Sequence, residues 1–161
     1  DLPTEAEWEF AARGGLDGAT YSWGDQYFDQ DSGWKANTWQ GLFPVKDGAD
    51  DGYHGTAPVG CFEPNGYGLF DMAGNVWEYT KDWYLPGHSA SAATDPSGPS
   101  ESLAAQRGGA AGASVVIKGG SWLCAPSFCA RYRPSARHPQ ELSLGTSHLG
   151  FRTVQRDPDR R

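Results

Sequence analysis

Between Tyr21 and Gly60 no hydrophobic period survives for more than a few residues. Aromatic side chains recur every few positions among Gly and Asp, so neither an amphipathic helix nor a long alternating strand is expected there. The stretch reads as loops with brief extended segments. The whole chain shares this character: its 161 residues hold 22 Gly and 11 Pro, yet also 7 Trp, 7 Tyr and 7 Phe. That mixture suits long, ordered loops pinned by large side chains. Disorder is excluded by the same rings, which can bury considerable surface. The length suits one domain with a genuine core and argues against two.

Regular structure is expected at few places. Thr4-Glu-Ala-Glu7 has the capping-box pattern, and Glu5 to Arg13 follows as a helix that Gly14-Gly15 ends. Trp8, Ala11 and Ala12 share its inner face. Ser114 to Lys118 reads as a buried strand, Thr56 to Val59 and Ile117 as strand fragments, and Leu149 to Val154 as a closing strand before a charged tail. Gly68 to Trp83 forms a second organised block, which Pro86-Gly87 terminates. His88 to Ser114 has no Phe, Trp or Tyr and much Ser, Ala, Gly and Pro, so it reads as a long surface loop. No internal repeat or heptad occurs.

The formal charge is −7 and no run of Lys or Arg exists. A surface that tracks phosphates is therefore not expected, and nucleic acid is excluded as a partner. No window approaches the roughly 18 apolar residues of a membrane span. Three cysteines are too few for a disulfide framework. The chain opens abruptly at Asp1-Leu-Pro-Thr and reads as a piece of a longer protein, so a signal peptide cannot be assessed.

Two of the cysteines, Cys124 and Cys129, stand five apart around Pro126. A helix would turn them about 140° from each other and a strand would point them to opposite faces, so only a bend unites them. Converging thiolates bind a soft metal or exchange electrons as a disulfide. Arg131, Arg133 and Arg137 downstream favour the thiolate form. Two buried cysteines near in sequence are the plain alternative. Cys61 stands alone and reads as a small buried hydrophobe. The four histidines form no metal-spaced pair, and Ser121 lies outside a nucleophile elbow. Two oxygen-rich clusters, Asn37-Thr-Trp39 with Asp50-Asp51-Gly-Tyr53, and Asp71-x-x-Gly74-Asn75-Val76-x-Glu78, suit a hard cation such as Ca²⁺ or serve as turn caps.

Four blocks resemble the formylglycine-generating enzyme (sulfatase-modifying factor) family: Leu2 to Gly15, Asn65 to Glu78, Lys118 to Cys124, and Leu149 to Arg152. The resemblance runs through nearly the whole chain in order. It implies a loop-rich α+β fold related to the C-type lectin fold, with little regular structure, in one domain over residues 1–161 that lacks its N-terminal portion. It further implies an O₂-using, copper-dependent oxidation of a cysteine in a sulfatase Cys-x-Pro-x-Arg segment to Cα-formylglycine. Under the resemblance Cys124 and Cys129 hold Cu(I), Ser121 is an active-site hydroxyl, and Trp77 and Arg137 line the substrate groove. Asn37, Thr38, Asp51 and Tyr53 match one structural Ca²⁺ site, and Asp71, Gly74, Val76 and Glu78 a second. Ala12 and Pro134 stand where eukaryotic relatives carry disulfide cysteines, which points to a bacterial cytoplasmic version. Two other functions share the scaffold. An iron-dependent sulfoxide-synthase type needs a His-bearing helical domain that this sequence does not contain. A non-catalytic binding or display module has no need of both thiols.

Overall fold

Thr4 holds an extended backbone and caps helix α1 (Glu5–Arg13). Its hydroxyl accepts from the Glu7 N–H at 3.1 Å, while the Glu7 carboxylate accepts from the Thr4 N–H at 2.7 Å. Two otherwise orphaned donors are met by one reciprocal exchange. Gly14 closes the helix at φ 56°, where a Cβ would crowd the Asn65 side chain. The computed structural model describes residues 1–88, 91–107 and 112–157. Residues 158–161 of the expected charged tail, and 89–90 and 108–111 of the expected loop, lie outside the described residues.

Four short strands follow: β1 (Phe28–Asp29) pairs with β2 (Gly33–Trp34), and β3 (Gly41–Leu42) with β4 (Lys46–Asp47). The principal sheet is built from β5 (Trp77–Trp83), β6 (Val115–Lys118), β7 (His138–Gln140) and β8 (Leu149–Gly150), in the order β7-β6-β5-β8. β5 and β6 are antiparallel with Glu78 opposite Lys118, and β8 runs parallel to β5 with Leu149 opposite Trp77. All four residues of β6 are buried, Val115 to Ile117 as an apolar run demands and Lys118 against Glu9 and Glu5. α1 packs on this sheet through Trp8 and Ala12, which meet Met72, and the Trp8 indole donates to Glu78 at 2.7 Å.

The irregular half is held by side chains. Asn75 sits at φ 56° with its amide bonded both ways to the Ala57 backbone, at 2.9 and 3.2 Å. Asn37 donates to the Asn75 side chain and to the Gly55 carbonyl. Asn65 donates to the Ala11 carbonyl at 2.7 Å and so caps α1 from outside.

Several expectations are corrected. Thr56 to Val59 forms no strand, because the Ala57 N–H and carbonyl are taken by Asn75. The closing strand stops at Gly150; Arg152 turns to Glu78, and the Val154 N–H bonds to the Asp1 carbonyl. The expected loop after His88 contains helix α2 (Glu101–Arg107), started by the Ser100 hydroxyl on the Leu103 N–H and anchored by buried Ala104. Cys61 is exposed, not buried, and its sulfur hydrogen-bonds with the Tyr53 hydroxyl. Among the described residues no helix is long and apolar enough to cross a membrane.

Candidate thiol site

β6 ends in Gly119-Gly120, and at Gly120 (φ 70°) a Cβ would lie 2.9 Å from the Tyr132 backbone nitrogen. Only glycine lets the two segments touch there. That contact carries the chain into Ser121, which is wholly buried, and on to Cys124. The Cys124 N–H bonds to the Ser121 carbonyl, and the Trp39 N–H to the Cys124 carbonyl. A turn at Pro126-Ser-Phe128 then brings the Cys129 N–H onto the Ala125 carbonyl at 2.9 Å. The bend that the spacing demands is therefore present, and it sets the two Sγ atoms 2.7 Å apart. Both are free cysteines, Cys124 buried and Cys129 partly open.

The two sulfurs are electrostatically unequal. The hydrogen bond from Cys124, opposed by burial and aided by the Arg131 guanidinium 3.7 Å away, lowers Cys129 to about 6. The same sulfur–sulfur bond, with burial, pushes Cys124 up. Physically, one proton held between two sulfurs leaves the outer one as thiolate and the inner one as donor. Ser121 hydrogen-bonds toward the Cys124 sulfur and partly offsets this. Of the three downstream arginines only Arg131 serves the thiols. Arg133 donates to the Ala130 carbonyl, and Arg137 reaches Glu5 at 2.7 Å and the Leu85 and Gly87 carbonyls.

Behind the bend, Trp77, Cys124 and Tyr132 share one core cluster, and the Trp77 ring stacks on His138 at 5.5 Å. Trp77 thus backs the thiols from the sheet. Arg137 lines a separate cavity of about 650 Å³ with Glu5 and His88. Tyr132 was missed by sequence reasoning. It is fully buried beside Cys124, its hydroxyl is held by Tyr27, and burial, then Tyr27, drives its acidity down. Its signal was alternation, one ring between outward-facing Arg131 and Arg133.

Of the oxygen clusters, the first converges. The Gln40 amide nitrogen donates at once to the Thr38 carbonyl, the Thr38 hydroxyl and Asp51 Oδ2, while Asp51 Oδ1 accepts from the Tyr53 N–H. Thr38 and Asp51 thus bring oxygens together at one point, as a hard-cation site requires, with the Gln40 amide seated among them. In the second set the Glu78 carboxylate is engaged by protein donors. Glu78 gives one oxygen to the Trp8 indole and Arg152 Nε and the other to Arg152 Nη2, at 2.5 to 2.7 Å. Arg152 is thus a bidentate partner of Glu78.

A loop-rich domain that carries a paired-thiol bend after Gly-Gly-Ser matches a known family. The family model described as sulfatase-modifying factor enzyme 1-like domain (FGE-sulfatase) covers residues 1–157, and the chain belongs to that family. It is 51% identical over 158 residues to a formylglycine-generating enzyme of Mycobacterium tuberculosis, covering 95% of this chain and 50% of the relative. It is 47% identical over 152 residues to one from Streptomyces coelicolor, covering 94% and 45% respectively. The chain thus spans about half the length of these relatives. Among solved structures it is similar to Treponema denticola variable protein 1, with TM-score 0.69 and 31% identity over 94% of this chain and 45% of that one.

Proposed function

We propose that this chain is the thiol-bearing part of a formylglycine-generating oxidase. The substrate is a cysteine in a Cys-x-Pro-x-Arg segment of a sulfatase polypeptide, converted to Cα-formylglycine with O₂ as oxidant. The observation that carries the reading is the meeting of the Cys124 and Cys129 sulfurs, 2.7 Å apart, with Ser121 against the inner one. Two thiolates fit Cu(I), the soft ion such a pair prefers, which when bound would supply the one-electron chemistry with O₂. Cys124 is the inner anchor, fixed through its backbone by Trp39 and Ser121. Cys129 is the outer, more readily ionised ligand and faces an incoming thiol. Arg131 balances the negative charge that gathers as thiolates assemble. Trp77 holds the bend from behind, and Arg137 is assigned to the substrate groove through the cavity it lines. Structural Ca²⁺ is proposed at Asn37, Thr38, Asp51 and Tyr53.

The test is conversion. Reduced protein loaded with Cu(I) is expected to turn a Cys-x-Pro-x-Arg peptide into an aldehyde with loss of sulfur, followed by mass spectrometry. Cys124→Ala and Cys129→Ala should each abolish turnover without lowering the melting temperature appreciably. Full activity in the double variant would overturn the reading. A non-catalytic module is the second reading; it predicts a folded protein that never forms the aldehyde.

A further inference from the structure

Five oxidisable rings run outward from the thiol bend through the loop half. Tyr132 is fully buried in the core cluster that holds Cys124, and Cys129 packs against the same cluster. Its ring stacks on Tyr27 at 5.5 Å and on Tyr21 at 5.9 Å. Tyr27 then meets Trp34 edge-on at 5.4 Å, and Tyr21 stacks on Trp23 at 5.0 Å. Trp34 and Trp23 are both partly exposed. Two unbroken lines, one from Tyr132 through Tyr27 to Trp34 and one from Tyr132 through Tyr21 to Trp23, thus join the buried side of the thiol site to solvent.

Packing alone does not ask for these residue types. Phe offers the same flat apolar surface, and it serves where the turn itself is covered, with Phe43 stacked on Phe128 at 4.2 Å. Along both lines every ring is instead a phenol or an indole, the aromatic side chains that give up one electron most readily. The phenols are also placed to handle a proton. The Tyr132 hydroxyl is hydrogen-bonded to that of Tyr27, which meets the Thr38 hydroxyl at 2.9 Å. A phenol that loses an electron sheds its proton, and a hydroxyl already in contact can take it with little movement.

We propose that these rings form a radical relay, which carries one-electron oxidation away from the Cys129 sulfur to a small reductant at the surface. The inference rests on the reading of Cys129 as a thiolate beside which O₂ is used. A stray one-electron step there leaves a sulfur radical, and oxidation that stays on the sulfur ends in sulfinic or sulfonic acid, which is not reversed. In the relay the Cys129 radical takes one electron from Tyr132 and closes as thiolate. The Tyr132 proton passes to the Tyr27 oxygen, and Tyr27 releases its own to water. Each ring is then refilled from the next one out, and the displaced protons return with the electrons. At Trp34 or Trp23 the last electron comes from a reductant such as ascorbate, which becomes the ascorbyl radical. The sum is one electron moved from ascorbate to sulfur and one proton moved from ascorbate to water, with every ring restored.

The experiment makes the sulfur radical by light alone. The full chain carries Cys61→Ser and Cys124→Ser, which leaves one sulfur with no partner for a disulfide, and Cys129 is S-nitrosylated. Photolysis of the S–NO bond without metal, O₂ or peptide, followed by rapid freezing, is expected to give the paramagnetic resonance signature of a tyrosyl radical. Tyr132→Phe should lower that signal several-fold. Tyr67→Phe, on an exposed ring that pairs with Phe10 outside the two lines, should leave it unchanged. Tyr21→Phe with Tyr27→Phe should lengthen the life of the signal, and Trp23→Phe with Trp34→Phe should slow its quenching by ascorbate several-fold. Circular dichroism checks the fold of each variant, and should Tyr132→Phe not fold, the two double variants decide. No tyrosyl signal, an undiminished signal in folded Tyr132→Phe, or unchanged kinetics in both double variants would each overturn the proposal. Copper and substrate are absent, so a failed relay leaves the conversion reading standing, and a failed conversion leaves the relay measurable.

Discussion

In the sheet half, β5 to β8 and α1 satisfy their buried backbone groups through ladders and one helix. In the loop half, from Gly15 to Val76, comparable groups are met by amide side chains: Asn37, Asn65, Asn75 and Gln40. The requirement is the same, since a buried N–H or carbonyl without a partner is costly wherever it lies. The consequences differ. A ladder spreads its bonds over many residues, each replaceable, whereas an amide clamp concentrates several bonds in one side chain. Single substitutions should therefore injure the loop half more than the sheet.

The largest effect is expected for Asn75→Ala. Three hydrogen bonds at about 1 kcal/mol each vanish, and alanine is forced to a positive φ at about 1 kcal/mol more, giving about 4 kcal/mol by denaturant melt. A loss under 1 kcal/mol would break the contrast. Calcium sharpens the comparison next. At a hundredfold excess over its Kd the ion should stabilise the protein by about 2.7 kcal/mol, and Asp51→Asn should abolish the gain. An unchanged melting temperature in chelator would remove the ion from the loop half. Lys118→Ala probes the strongest single point of the sheet half. This wholly buried lysine lies 3.3 Å from Glu9 and 3.7 Å from Glu5, with its charge over the Trp8 ring. Removing it leaves Glu5 to Arg137 and Glu9 to Arg13 alone and opens a void under Trp8, and about 2 kcal/mol should go.

The smallest effect is one of rate. The lowered Cys129 is thiolate above about pH 6, so its alkylation in a Cys61→Ser background should rise through that pH and then level off. An ordinary thiol would climb instead near pH 8.5. A midpoint there would show that the sulfur–sulfur hydrogen bond does not hold the proton on Cys124.

What could be read from the residues was local. The cap of α1 lies within four residues, β6 is a continuous apolar run, and the thiol bend follows from a five-residue spacing around proline. What escaped depends on partners far along the chain. Nothing near Glu78 announces Arg152, 74 residues later, which pairs with its carboxylate. Arg137 resembles its neighbours in sequence, yet its length carries it to Glu5 instead of the thiols. α2 was hidden by a composition poor in aromatics, although Ser100 was its start signal. Cys61 followed the general burial preference of cysteine and proved the exception.

Cys124 and Cys129 ride on six consecutive residues, so the turn that joins their sulfurs is local, while Trp39 anchors its start. On the proposed reading, a half-unravelled molecule that keeps this bend would still take up copper. Metal uptake is then a poor gauge of an intact domain. Aldehyde formation, the outcome proposed for the complete site, is the better one.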